Sequence, residues 1–203
     1  MKKVLFVFLA VIMLFSFSAV SYADGEKEYN WADVESGIGS ILGKDAIFWK
    51  FDEVDAILAL PYAFSAVQLS DDDISGGCTA FLISEENDDE FLICYYIDSN
   101  GVTLDSLYSY YIQNGIRAEK VLVNSIPAVL QHDEANNSLI LTFLTQENKL
   151  FQVIFSPLSS EEALYQYVIA SIQPVSMYNK DKADTEEVPA DAPVNPVSGL
   201  ISK

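Results

Sequence analysis

Cys78-Thr79-Ala80-Phe81-Leu82-Ile83 and Phe91-Leu92-Ile93-Cys94-Tyr95-Tyr96-Ile97 flank the polar stretch Ser84-Glu85-Glu86-Asn87-Asp88-Asp89-Glu90. Two runs of strand-forming residues on either side of a polar tip have the pattern of a β-hairpin. The second run is apolar at every position. A strand with one wet face alternates, so continuous apolarity predicts a central strand covered on both sides. Glu90 and Asp98 bracket that run and oppose edge-to-edge aggregation. The fold is therefore expected to be built on a sheet.

Working outward, Thr103 to Asn114 carries Leu104, Leu107, Tyr108, Tyr111 and Ile112 at helical spacing. Gly115 is placed as the left-handed residue beyond its end. Four strands are expected next, over Lys120–Val123, Ile126–Gln131, Leu139–Leu144 and Leu150–Phe155, with turns at Asn136-Asn137 and Glu147-Asn148. A last helix starts at Ser159, three residues before Glu162 in capping-box spacing. It presents Leu164, Tyr165, Val168, Ile169 and Ile172, and Pro174 closes it. Upstream, Ile47–Phe51 and Asp55–Leu60 read as strands joined at Asp52-Glu53, and Pro61 ends the second because it has no N–H to give. Tyr62–Leu69 has no decisive pattern, and Ser70–Gly77 reads as a loop. Val34, Ile38, Ile41 and Leu42 have helical spacing, weakened by Gly37, Gly39 and Gly43.

The chain has 203 residues and a formal net charge of −19. Residues 1–23 have the anatomy of a cleavable export signal: basic Lys2-Lys3, an apolar run from Val4 to Phe15, and small residues at Ser21 and Ala23 before a cut. The alternative, a membrane anchor, would want about 20 apolar residues. No later stretch would span a bilayer. Cleavage would leave 9 basic and 30 acidic residues, a charge of about −21. That sign opposes nucleic acid, whose phosphates need Lys and Arg, and anionic membrane surfaces. The domain plan is a signal peptide at 1–23, an N-terminal extension at 24–46, frayed over Asp24–Asn30, one α+β domain at 47–178, and a disordered acidic tail with Pro189, Pro193 and Pro196 at 179–203. The expected location is secreted or extracytoplasmic.

Three short segments carry a family likeness. Ala56-Ile57-Leu58-Ala59-Leu60-Pro61, Asn124-Ser125-Ile126-Pro127-Ala128-Val129 and Ala170-Ser171-Ile172 resemble the strand-then-Pro opening, the residue-Pro-Ala strand entry and the closing Ser-Ile of the PsbP/Mog1-like fold. The resemblance spans roughly residues 47–175. It implies an α+β sandwich in which helices flank an antiparallel sheet. That fold includes photosystem subunits, a small-GTPase partner and many exported bacterial proteins, with no shared catalytic set to carry over. What the resemblance implies is a non-catalytic accessory or binding role with a protein or envelope partner.

The residues add candidates of their own. Cys78 and Cys94 fall on the two hairpin strands with equal parity, opposite each other if the tip centres on Glu86. Two readings stand: a cross-strand disulfide, favoured by export, or two buried thiols packed as small apolar groups. The spacing fits neither redox CxxC nor structural zinc. His132, the single histidine, reads as an exposed turn residue rather than a triad member. Asp71, Asp72 and Asp73, with Glu85, Glu86, Asp88 and Asp89 at the hairpin tip, are the carboxylates that would bind calcium, though neither stretch has the twelve-residue calcium-loop pattern. The bland reading is solvated loops, with no cofactor. A small extracellular hydrolase using paired carboxylates is the enzymatic alternative, and a calcium-dependent module the third. Tyr110 and Tyr167 lie off the apolar stripes and are expected to be exposed. Asn136-Asn137-Ser138 fits the glycosylation triplet.

Overall fold

A computed structural model describes residues 27–35, 47–51, 53–60, 64–85, 89–156 and 162–175. In chain order the strands are β1 (Lys27–Tyr29), β2 (Ile47–Phe51), β3 (Ala56–Leu60), β4 (Phe64–Ala66), β5 (Cys78–Ser84), β6 (Phe91–Asp98), β7 (Ala118–Val123), β8 (Ile126–Asp133), β9 (Ser138–Leu144), β10 (Lys149–Ser156) and β11 (Gln173–Pro174). The helices are α1 (Trp31–Val34), α2 (Asp71–Ser75), α3 (Leu104–Gln113) and α4 (Glu162–Ser171). An eight-stranded sheet runs β1-β7-β8-β9-β10-β6-β5-β4, and a three-stranded sheet runs β11-β3-β2.

The α+β class holds, and the layering differs from the expectation. The large sheet is mixed, because β1 pairs with β7 in parallel while its other pairs are antiparallel. One of its faces is covered by the small sheet together with α4, rather than by helices alone. Trp49, Phe51 and Leu58–Leu60 share a buried cluster with Val168 and Ile169 of α4, with Ile172 just beyond it, and with Leu82, Leu92, Leu130, Leu141, Phe151 and Val153 of the large sheet. On the opposite face α3 buries Leu104 and Tyr111 against Ala118 and Val129. Burial on both faces is why β9 is buried at every position but its last.

α3 forms as its sequence dictates. Thr103 accepts from the Ser106 N–H and the Ser106 hydroxyl answers the Thr103 N–H, a reciprocal cap, while Gly115 sits at φ +69°. Its stripe is narrower than the spacing suggests: Ile112 is 49% exposed. Gln131 ends inside β8, which continues through His132 and Asp133.

Several further segments depart from expectation. Lys27–Tyr29 is a strand rather than a frayed end, anchored by buried Tyr29. The loop expected over 70–77 contains α2, because the Ser70 and Asp73 side chains cap each other's backbone N–H. Of the helical spacing through 34–42 only Val34 lies in the described residues, at the end of α1. The leader, Ser159 and the acidic tail lie outside them.

The three segments with the family likeness converge. The Ala59 N–H donates to Ser171 Oγ (2.7 Å), and the Ser171 hydroxyl donates to the Val168 carbonyl (2.6 Å). Asn124 Nδ2 donates to the Ala170 and Ile172 carbonyls (both 2.8 Å), and its Oδ1 accepts from the Trp31 N–H (2.7 Å). Asn124 and Ser125 form the two-residue turn between β7 and β8 with φ +49° and +66°, the left-handed pair that suits a tight hairpin. These motifs fasten both ends of the described chain to the sheet.

Candidate functional site

The β5–β6 hairpin and β10 carry a row of half-buried apolar side chains. Along β5, Cys78, Ala80, Leu82 and Ser84 are buried, and Thr79, Phe81 and Ile83 between them are half-buried. On β6, Leu92 and Cys94 are buried, and Phe91, Ile93 and Tyr95 are half-buried. Strand periodicity sends the two sets to opposite faces, except at Cys78, where a bulge breaks the alternation and sets it opposite Tyr95. Register joins the half-buried set across strands: Phe81 pairs with Ile93, Ile83 with Phe91, and Ile93 with Ile154 of β10. The Phe81 and Phe91 rings meet edge-on at 5.9 Å. The described contacts of α3 are with β7, β8 and β9, at the other end of this face. The full two-sided cover expected for Phe91–Ile97 is thus corrected: one face is core, the other is an apolar strip open in part to solvent.

Acidic side chains flank the strip at both ends. Exposed Glu85 and Asp89 stand at the hairpin tip, and exposed Asp71 and Asp72 on α2 at the far end. Asp73 is held below the usual carboxylate range by hydrogen bonds from the Ser70 hydroxyl and then from the Ser70 backbone N–H. Its carboxylate is therefore a helix cap. Glu86 and Asp88 lie outside the described residues. Among the described residues no group of three or more His, Cys, Asp or Glu is placed to hold a metal ion.

The cysteines are both buried and both free thiols. The midpoint of the hairpin pairing lies one residue beyond Glu86, so Ala80, not Cys78, faces Cys94. Packing explains the shift: Ala80 and Leu82 meet Cys94 and Leu92 in the core. A bulge between Cys78 and Ala80 then sets Cys78 against Tyr95. Burial, and then Asp73, pushes the Cys78 thiol up to about 12. Burial, and then the neighbouring Cys78 sulfur, drives Cys94 well above the thiol range.

His132 is in β8 rather than an exposed turn, with its side chain 9% exposed and Nε2 3.4 Å from Glu119 Oε1. Arg117, the chain's one arginine, lies 3.8 Å from the same carboxylate oxygen. Burial and then Arg117 lower the imidazole's pKa, opposed by Glu119. Asp133 is turned away, accepting from the Asn136 N–H and side chain. Tyr110 and Tyr167, expected to be exposed, are half-buried against the two apolar clusters.

A recess of about 270 Å³ opens where α3 begins, lined by Thr103, Leu104, Asp105, Pro127 and Leu144. Its polar groups are committed: Thr103 caps α3, and Asp105 Oδ1 receives Lys120 Nζ at 2.6 Å. It holds one carboxylate, where glycoside hydrolysis needs two. Sequence reasoning missed the open strip because an apolar run reports that a strand is greasy on both faces, not what covers each face.

No family model and no curated protein matches the chain. It is similar in structure to a cyanobacterial PsbP. That solution structure, of PsbP (CyanoP) from Synechocystis sp. PCC 6803, has a TM-score of 0.48 and 14% identity, covering 64% of this chain and 92% of that one. Among the described residues no helix is long and apolar enough to cross a membrane.

Proposed function

We propose that this protein is an exported, non-catalytic binding or accessory module whose docking surface is the half-buried strip Phe81, Ile83, Phe91, Ile93 and Ile154. The observation that carries the reading is that row of large apolar side chains, continuous across three strands on a face that α3 leaves partly open. Contiguous apolar surface with a polar rim is the usual mark of a protein interface. The rim is acidic at both ends, in a chain of formal charge −19, so the fitting partner is a protein surface with an apolar centre and a Lys/Arg border. Export rests on the three-part leader of residues 1–23.

The test places a photo-crosslinking phenylalanine analogue at Phe81, and at exposed Gln113 as a control, in the producing cells. A heterologous adduct is expected from position 81 and not from 113. It should fade on adding Ile93→Glu, provided the variant keeps its melting temperature, and with rising salt. Equal adducts from both positions, or adducts only between copies of this chain, would sink the proposal. Mature secreted protein that still begins at Met1 would remove the export component.

A further inference from the structure

The seat of α3 shows what shape of element this face of the large sheet accepts. α3 contacts three adjacent strands, β7, β8 and β9. Its first turn shares a recess with Pro127, at the start of β8, and Tyr111 near its end feels the charge of Asp133, at the end of that strand. The helix therefore runs along β8. Three strands are two spacings of about 4.8 Å, close to the width of a helix with its side chains. The next three strands, β10, β6 and β5, offer the same width. On the α3 side they carry half-buried Ile154, Phe91, Ile93, Tyr95, Phe81 and Ile83. None of these six is among the partly buried side chains packed against either buried cluster. Carboxylates stand at both ends of this second seat. Exposed Glu85 and Asp89 are at the hairpin tip, next to Phe91. At the other end Asp73 acts electrostatically on Cys78 and Tyr95, which brings α2 there with its exposed Asp71 and Asp72. Phe91 to Ile97 on β6 spans about 20 Å, the length of about 13 residues of helix.

Resting on the docking strip proposed above, we infer that its occupant is a single amphipathic α-helix of the partner protein, lying along β6 beside α3. Such a helix sets large apolar residues at i, i+3, i+4 and i+7 on the strip and carries Lys or Arg near each end, against Asp71 and Asp72 and against Glu85 and Asp89. An extended segment fits less well. Extended peptides bind by adding to a sheet edge, and β6 lies between β10 and β5, so its backbone is paired on both sides. A second copy of this chain would bring the same acidic rim against itself, in a protein of formal charge −19.

The strand itself supplies the ruler. Phe91 and Tyr95 share a face of β6, about 13 Å apart. The photo-crosslinking phenylalanine analogue is placed at one or the other in the full chain, in the producing cells, and its attachment point on the partner is read by peptide mass spectrometry. A helix rises 1.5 Å per residue, so the two attachment points should lie about 9 residues apart on one continuous segment. A separation of about 4 residues means an extended occupant, and points on two unconnected segments mean a broad surface. Either result overturns the helix and leaves the docking strip standing. No heterologous adduct from either position overturns strip and helix together. Ile93 and Ile97 have the same spacing and replace the first pair if either labelled variant loses the wild-type melting temperature. Reversing the rim with Glu85→Lys and Asp72→Lys should cut the adduct yield about tenfold or more. An unchanged yield overturns the basic ends of the helix.

Discussion

At the scale of single residues, the hairpin's position depends on Gly77. It sits at φ +84°, just before β5, and its carbonyl accepts from the Tyr96 N–H at 2.8 Å. A Cβ there would lie 2.4 Å from Ile97 Cγ2 and 3.0 Å from the Tyr96 carbonyl oxygen. Gly77→Ala thus combines left-handed backbone strain with a clash against a neighbouring strand, and should destabilise by about 2–4 kcal/mol. Gly101 has nearly the same angle, φ +82°, but nothing within 4 Å of its Cβ position. Gly101→Ala should therefore cost only the backbone term, about 1–2 kcal/mol. Urea denaturation of the pair separates clash from strain, and equal losses would show that the Ile97 contact relaxes away. Asn124 is fixed by related logic. Its left-handed φ suits Gly or Asn, and only Asn also supplies the three side-chain bonds to Trp31, Ala170 and Ile172.

At the scale of elements, α3 tests how far local signals reach. Thr103→Ala removes the oxygen that receives the Ser106 N–H and should cost about 1 kcal/mol. Ile112→Gln, at a position the apolar spacing assigns to the core, should stay within about 0.5 kcal/mol because that side chain is half in solvent. A loss of several kcal/mol in the melt of Ile112→Gln would mean that the outer face of α3 is covered in solution. The contrast shows what was legible. Spacing and Gly115 predict α3 to within a residue or two, and the strands of residues 118–156 follow from greasy runs broken at Asn136-Asn137 and Glu147-Asn148. β1 and β4 were not legible, because three-residue strands have no period to read and exist through a partner, β7 or β5. α2 hid behind three aspartates whose composition suggests a cation loop, while the local pair Ser70–Asp73 makes a helix cap. The assignment of β2 and β3 to a separate sheet is a long-range fact, set by the contacts of β3 with α4 and β11 that no local pattern contains. The half-buried apolar strip was half legible: its residues were read as apolar, and their partial exposure depends on where α3 stops.

At the scale of the whole molecule, buried groups at the bulge and on the packed face of α3 give the fold a defined alkaline limit. Burial, then Cys78 and Asp73, raises Tyr95 to about 12, and burial pushes Tyr111 higher still. Cys78, opposite Tyr95, is raised to about 12. In an unfolded chain thiols titrate near 8.5 and tyrosines near 10. Between about pH 9 and 12 the unfolded chain therefore gives up protons that the folded chain keeps, so stability is full below that window and falls as pH rises through it. Urea midpoints at successive pH values in high salt, which suppresses the general repulsion of a −19 chain, should decline across the window. Tyrosine ionisation absorbance should lag in the folded protein and complete only on unfolding. Midpoints flat to pH 11 would mean that these side chains reach solvent without unfolding.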